Sequence, residues 1–446
     1  MKAKIDFSTE IVHGHYLVSL SSTGAMSLFS PAEYLAFNYI IHAPQEDHPA
    51  LLRRVLSDFG CSEEKMASFT DIFLKKLRQQ GWFRDGVHDP ESQRLQMVYF
   101  SITTNCNLSC TYCYIGDERR NPDQLMTPDD ARIILKKIRD FNPLARIAVT
   151  GGEPFSHPAV FQILDILNEY GLKFSLGTNA VLVDRSCAER LKGYRTLLFV
   201  QASLDGMTPE VHSLTRGNTW NEAMSGIRNL IEQKVPFAIA PTLHEGNLHE
   251  IYDIARFAYS HGGFFAPNHL RKFPHAPHAR DIYLKPESLR KCIIETFEKI
   301  GQEFNLDVQP AGLTDKSCEE LHDTRGKFVC GNAFYTVDID WNGDVYPCHL
   351  LREACFIQGN ILAEDFNVIL ERGRNSKTRV RSFEIPKCKS CPFVATCAGG
   401  CRASAFYTRG TLAAEDEFCD ILYKFEVDKL FLHKPNHQLR QTLKPT

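Results

Sequence analysis

The sequence predicts an α/β protein in three parts. A partial (β/α)6 barrel of the TIM type fills residues 96–305, an α+β domain of winged-helix pattern precedes it at 1–95, and a cysteine-rich domain follows at 306–446. Three observations lead there. Apolar strand-like runs alternate with helical stretches six times in the middle of the chain, the pattern of parallel strands joined by helical crossovers. The 446 residues exceed a single domain of roughly 100–200 residues. The 15 cysteines are gathered, three within residues 106–113 and nine within 318–419.

The first part opens with short alternating runs, H-Y-L-V-S-L and A-M-S-L-F-S, and continues with helical periodicity through P-A-E-Y-L-A-F-N-Y-I and F-L-K-K-L-R-Q-Q-G-W-F, where Gly81 suits a helix stop. A small hairpin followed by three helices is expected. The barrel strands are expected at V-Y-F-S-I-T-T, R-I-A-V-T, K-F-S-L-G-T, L-L-F-V-Q-A-S-L, P-F-A-I-A-P-T-L and F-F-A-P-N-H-L. Thr127 before Pro128, and Asn247 before Glu250, read as helix starts. In such a barrel, chemistry gathers where strands end in loops.

Composition removes several classes of function. The 51 basic and 54 acidic side chains nearly cancel without a basic stripe, which disfavours nucleic acid as a partner. No run of about 18 apolar residues could span a bilayer, and M-K-A-K-I-D-F-S lacks the apolar core of a secretory signal. The chain reads as soluble and cytoplasmic, with no membrane partner, where thiolates are free to bind metal. Cys61, Cys187, Cys292 and Cys355 fall outside any motif and read as ordinary thiols.

Directly after the first barrel strand, Cys106, Cys110 and Cys113 stand in C-x3-C-x2-C spacing. Three thiolates on a tight loop can hold three irons of a [4Fe-4S] cube and leave the fourth open to a small chelator. A zinc knuckle is the plainer alternative. With Tyr112 before its last cysteine, the triplet resembles the signature of radical S-adenosylmethionine (SAM) enzymes. The resemblance implies that SAM chelates the open iron, is cleaved by one electron from a donor such as flavodoxin or ferredoxin, and yields a 5′-deoxyadenosyl radical that abstracts a substrate hydrogen.

Later strand ends extend the resemblance. Gly151-Gly152-Glu153-Pro154 is similar to the family motif beside the SAM amino group, and Thr178-Asn179 to its turn beside the ribose. By the same resemblance Ser203 and Arg216 face the SAM carboxylate and ribose, with Asp205 placed among the cofactor contacts; arginine can pair with a carboxylate through two bonds. Each motif alone also serves as an ordinary turn. The stretch A-P-N-H-L-R-K-F-P-H-A-P-H-A-R, with His269, His275 and His278, reads as a solvated loop, and the basic run at 371–381 as a solvated face.

The last part carries Cys330, Gly343, Cys348, then Cys388-x2-Cys391-x5-Cys397-x3-Cys401, then Cys419. This order and spacing resembles the SPASM domain. The resemblance implies two auxiliary [4Fe-4S] clusters: one on Cys388, Cys391, Cys397 and Cys419, the other on Cys330, Cys348 and Cys401, with Cys318 as candidate fourth ligand. Paired zinc sites are the alternative. A peptide or protein maturase is implied, an oxidoreductase-type enzyme that makes a thioether or carbon-carbon cross-link or an oxidation, its first domain resembling those that bind a leader peptide as an added strand. Formylglycine generation and a non-catalytic iron-sulfur electron carrier are the competing readings. Where sulfatase-maturing relatives have aspartate, this chain has His349, a candidate proton acceptor, since an ordinary imidazole titrates near ~6.5; a core or loop histidine is its plain alternative.

Overall fold

The computed structural model describes residues 8–12, 15–20, 25–41, 47–58, 62–79, 82, 95–116, 119–276, 279, 282–306, 330–397 and 399–432. Gly81, Cys61, His278 and Cys318 lie outside the described residues.

Strands β1 (Ser8–Val12), β2 (His15–Leu20) and β3 (Ala25–Phe29) form an antiparallel sheet, followed by helices Pro31–Ile40, His48–Asp58 and Glu63–Gln79. The expected hairpin is thus a three-stranded meander. β1 escaped notice because it is an edge strand paired only to β2, with Ile11 67% exposed. Ser30 and Glu33 close a capping box at the first helix. Phe29, Phe37, Phe73 and Trp82 fill a core between sheet and helices, where the Trp82 indole donates to Ser27 at 2.7 Å.

The barrel wall runs through β4 (Met97–Ser101), β5 (Arg146–Thr150), β6 (Phe174–Thr178), β7 (Leu197–Ala202), β8 (Phe237–Ile239) and β10 (Phe264–Phe265), all parallel and in chain order. Between them β9 (Thr242–Leu243) and β11 (Asn268–His269) form their own parallel pair. The last two expected strands are each split in two, because Pro241 and Pro267 cannot donate to a ladder.

Side chains alternate across this wall. Ile147, Val149, Phe174, Leu176 and Val200 point outward onto helices whose Ile134, Leu135, Ile138, Ile163, Leu167, Ile227 and Ile254 are fully buried. Each such side chain contributes roughly 1.5–3 kcal/mol of burial. The opposite residues, Ala148, Thr150, Ser175, Gly177 and Gln201, face the interior cavity.

The helix starts divide. Thr127 accepts from the Asp130 amide at 3.0 Å, as expected. Asn247 and Glu250 do not cap one another; a 3-10 turn, Leu248–Glu250, intervenes before Ile251–Ser260. Asn247 instead donates to the Asp205 and Thr242 carbonyls, and Glu250 accepts from the amides of Met207 and Thr208. Tertiary partners outcompete the local cap.

The chain after residue 330 adds β12 (Thr336–Ile339), β13 (Asp344–Tyr346) and β14 (Gly359–Asn360) to the same sheet, in the order β10-β8-β7-β6-β5-β4-β12-β13-β14. β12 lies parallel to β4, with Val337 opposite Val98 and Ile339 opposite Phe100. Gly343 turns β12 into β13 at φ +87, where a Cβ would meet Leu362 at 2.9 Å. Val12 and Leu17 of the first sheet pack on Phe393 and Val427, beside Cys391 and Cys397. Among the described residues no helix is long and apolar enough to cross a membrane.

Candidate active site

A cavity of about 530 Å³ opens inside the curved sheet, lined by the loop after β4 and by the ends of β5, β6 and β7. Cys106, Cys110, Tyr112 and Cys113 reach it from the first of these. That loop is tied down by its backbone: Cys113 donates to the Cys110 carbonyl at 3.1 Å and Thr111 to the Thr215 carbonyl at 3.0 Å. Arg120 reaches back to the Leu108 carbonyl. Burial raises the Cys106 thiol and pushes Cys110 up to about 11, although Arg216 pulls the latter down. Without metal these thiols therefore hold their protons, and a bound cation must displace them.

Gly151, Gly152 and Glu153 form the neighbouring wall. The Gly152 and Glu153 amides donate to the carbonyls of Thr103 and Asn105 at 2.8 and 2.7 Å, which brings two loops into backbone contact. A Cβ on Gly151 would sit 2.2 Å from the Thr103 oxygen, and one on Gly152 2.0 Å from that of Asn105. The Glu153 carboxylate is turned inward: it accepts from Thr178 Oγ1 and the Asn179 amide, both at 2.7 Å, and from the Phe155 amide at 3.1 Å. It thereby fastens the G-G-E-P turn to the Thr178-Asn179 turn. Burial nevertheless raises its pKa to about 7.

Ser203 and Arg216 line the same cavity, whereas Asp205, fully buried, lies behind its wall. The Asp205 carboxylate accepts from Arg216 Nε and Thr215 at 2.8 Å, from the Thr242 amide at 2.9 Å, and from the Tyr112 hydroxyl. Burial would raise its pKa, but Arg216 and these donors outweigh that and hold it below the usual carboxylate range. From that position Asp205 holds both Tyr112 and Arg216 by hydrogen bonds.

The far side of the cavity holds residues the motifs did not reveal. Tyr99, Tyr114, Phe273 and His349 contribute rings, with Tyr99 and His349 4.0 Å apart. His349 lines the cavity; burial, with Arg352 and Arg271 nearby, drops its pKa to about 4, so the imidazole is neutral near pH 7. His269 sits on β11 rather than in a solvated loop, edge-on to Phe418 at 4.7 Å. His275 pairs with Glu353 at 3.2 Å, and Glu353 also binds Arg119 and Tyr407. The basic run is likewise only partly solvated, because Arg379 donates to the carbonyls of Cys330 and Asn332 at 3.1 Å. Small or polar residues at every second strand position were the available signal for Ser175 and Gln201; nothing local marks Tyr99 or His269.

Cys388, Cys391, Cys397 and Cys419 line a second cavity of about 230 Å³, closed on one side by Glu10 of β1 and by Tyr423. Cys330, Cys348 and Cys401 form another group, close enough that each of Cys330 and Cys348 feels the charge of Cys401. Burial raises the thiols of Cys330, Cys348 and Cys397. Among the described residues no three His, Cys, Asp or Glu side chains converge as they would on one ion. Cysteine thiolates grouped in this way are the donor set that an iron-sulfur cluster takes.

Residues 100–258 match the family model of the radical SAM superfamily, and residues 330–392 match that of the SPASM iron-sulfur cluster-binding domain. The chain is similar to the AdoMet-dependent heme synthase of Methanosarcina barkeri, 25% identical over 73% of this chain and 96% of the relative. It is similar also to the mycofactocin maturase MftC of Mycobacterium ulcerans, 26% identical over 72% and 86%. Among solved structures, anSMEcpe with bound AdoMet superposes with a TM-score of 0.61 at 19% identity, over 78% of this chain and 98% of that one. Streptococcus suis SuiB does so with a TM-score of 0.58 at 16% identity, over 93% and 99%.

Proposed function

Because the chain is a radical SAM enzyme that carries a SPASM domain, we propose that it modifies a peptide or protein substrate by hydrogen abstraction, forming a cross-link or an oxidised residue. The observation that carries this reading is one cavity lined jointly by three cysteines of a single loop, by G-G-E, T-N and Ser203 from three successive strand ends, and by Arg216 at the end of the helix Pro209–Arg216. Bound there, a [4Fe-4S] cluster and SAM supply a 5′-deoxyadenosyl radical when an external donor such as flavodoxin or ferredoxin provides the electron.

The protein's own residues do the rest. Cys106, Cys110 and Cys113 would hold three irons. The Gly151-Gly152 backbone, which leaves no room for a Cβ, lets the amino acid end of SAM approach. Arg216, oriented by Asp205, would meet its carboxylate through its remaining N–H groups. Thr178, Asn179 and Ser203 serve the ribose side. The rings of Tyr99, Tyr114 and Phe273 exclude water from the side where a substrate residue must lie, and His349, neutral there, is the candidate acceptor of a proton from it. Its position supports that role more than its basicity does.

Cys388, Cys391, Cys397 and Cys419 would ligate one auxiliary cluster, and Cys330, Cys348 and Cys401 the other. A peptide substrate is favoured by the similarity to the mycofactocin maturase and by the outer edge of β1, which has no strand partner among the described residues and to which a leader segment can add as a strand. The three parts at 1–95, 96–305 and 306–446 are then recognition, radical and auxiliary-cluster domains. The test is co-expression with a short peptide encoded beside the gene. Mass spectrometry should show loss of two hydrogens per cross-link, abolished in the Cys106→Ala/Cys110→Ala/Cys113→Ala variant; an unchanged mass alongside active SAM cleavage would overturn the peptide assignment.

A further inference from the structure

Three arginines buried around the cavities are paired with carboxylates: Arg216 with Asp205, Arg271 with Asp416, and Arg352 with Asp338 and Asp340. Arg402 differs from these three. It is 1% exposed, the largest of the fully buried side chains, yet its guanidinium binds only carbonyls: Leu412 and Ala414 at 2.6 Å, Gly400 at 3.4 Å, and Gly399. Among the described residues no carboxylate reaches it.

Four carbonyls satisfy its N–H groups but leave its charge uncompensated, and an isolated buried cation is costly unless something negative lies close. The position of Arg402 supplies that something. It follows Cys401 directly and grips the Gly399-Gly400 turn between Cys397 and Cys401, so it stands where the two cysteine sets meet. A cube with four thiolate ligands carries net negative charge, which an adjacent cation stabilises most in the reduced state.

We propose that Arg402 is the shared counter-ion of the two auxiliary clusters, a positioning residue that raises both reduction potentials together. This rests on the ligand sets proposed above. The test compares the full-length, anaerobically reconstituted enzyme with its Arg402→Gln and Arg402→Lys variants, by iron content and by redox titration followed by electron paramagnetic resonance. The cluster whose spectrum responds to added SAM serves as internal reference.

Both auxiliary potentials should fall in Arg402→Gln and stay near the parent values in Arg402→Lys, with the SAM-responsive cluster unmoved. Fully loaded Arg402→Gln with unchanged potentials, or with only one shifted, would overturn the proposal while leaving the ligand sets intact. Should Arg402→Gln take up no auxiliary iron, recovery in Arg402→Lys supports the counter-charge, and equal loss in both overturns it in favour of a carbonyl clamp. Parent enzyme holding only one cluster's worth of iron would instead defeat the ligand sets, and the proposal with them.

Discussion

Asp205 and Arg216 show how one residue can matter to a site that it does not touch. Their ion pair is 0% and 9% exposed, and removing one member of a buried pair costs about 3–5 kcal/mol. Asp205→Asn should therefore lower the free energy of unfolding by that much in urea titrations, and SAM affinity should fall as Arg216 and Tyr112 lose their orientation. Glu153 predicts a pH dependence. Its folded pKa of about 7 lies above the ordinary value of about 4.3, so the protonated state favours folding. Its contribution is full below about 4.3 and is lost as pH rises through 7. The metal-free protein should lose stability across that window, and Glu153→Gln should flatten the curve; an unchanged slope in urea titrations would count against it. The positions of these residues were legible in the sequence, because G-G-E-P, T-N and S-L-D-G follow strands in order. Their partners were not: Glu153 bonds Thr178 25 residues away and Asp205 reaches Thr242 over 37, distances that no local pattern encodes.

At the level of the elements, the six barrel strands could be read because each carries its own apolar run. The three that complete the sheet could not. T-V-D-I and D-V-Y are short and sit among cysteines; T-V-D-I pairs with a strand more than 230 residues earlier, as the Ser101–Asp338 bond shows, and D-V-Y pairs only with its neighbours β12 and β14. Helix starts were legible where a cap had no rival, as at Thr127, and misleading where Asn247 and Glu250 found distant donors and acceptors. A chain ended at residue 306 would leave the edge of β4 bare. An apolar strand edge of that kind invites intermolecular pairing, so the truncated barrel should aggregate, visible as light scattering at concentrations where the full chain stays clear. Phe393, fully buried between the first sheet and the four-cysteine cavity, predicts a second effect. Phe393→Ala should cost about 3–5 kcal/mol and reduce iron uptake by one cluster while SAM cleavage persists.

Across the whole molecule, the contact of β1 and β2 with the cysteine-rich part joins the two ends of the chain. Composition and motif order divided the sequence into parts, but nothing in it revealed that Glu10 faces Cys391 and Cys397 across one cavity. Among the described residues no strand pairs with the other edge of β1, and Ile11 of that strand is exposed. A lysine there discourages strand addition. Ile11→Lys should weaken leader-peptide binding about tenfold, or ~1.4 kcal/mol, without slowing peptide-independent SAM cleavage; unaltered binding by calorimetry would move the recognition site elsewhere. The parallel pairing of β12 with β4 also has a consequence for biosynthesis. Asp338 is made 237 residues after Ser101, which at ribosomal rates of about 5–20 residues per second is roughly ten to fifty seconds. For that interval the nascent chain presents a half-built wall, whose bare β4 edge is open to pairing with other chains until the last strands emerge.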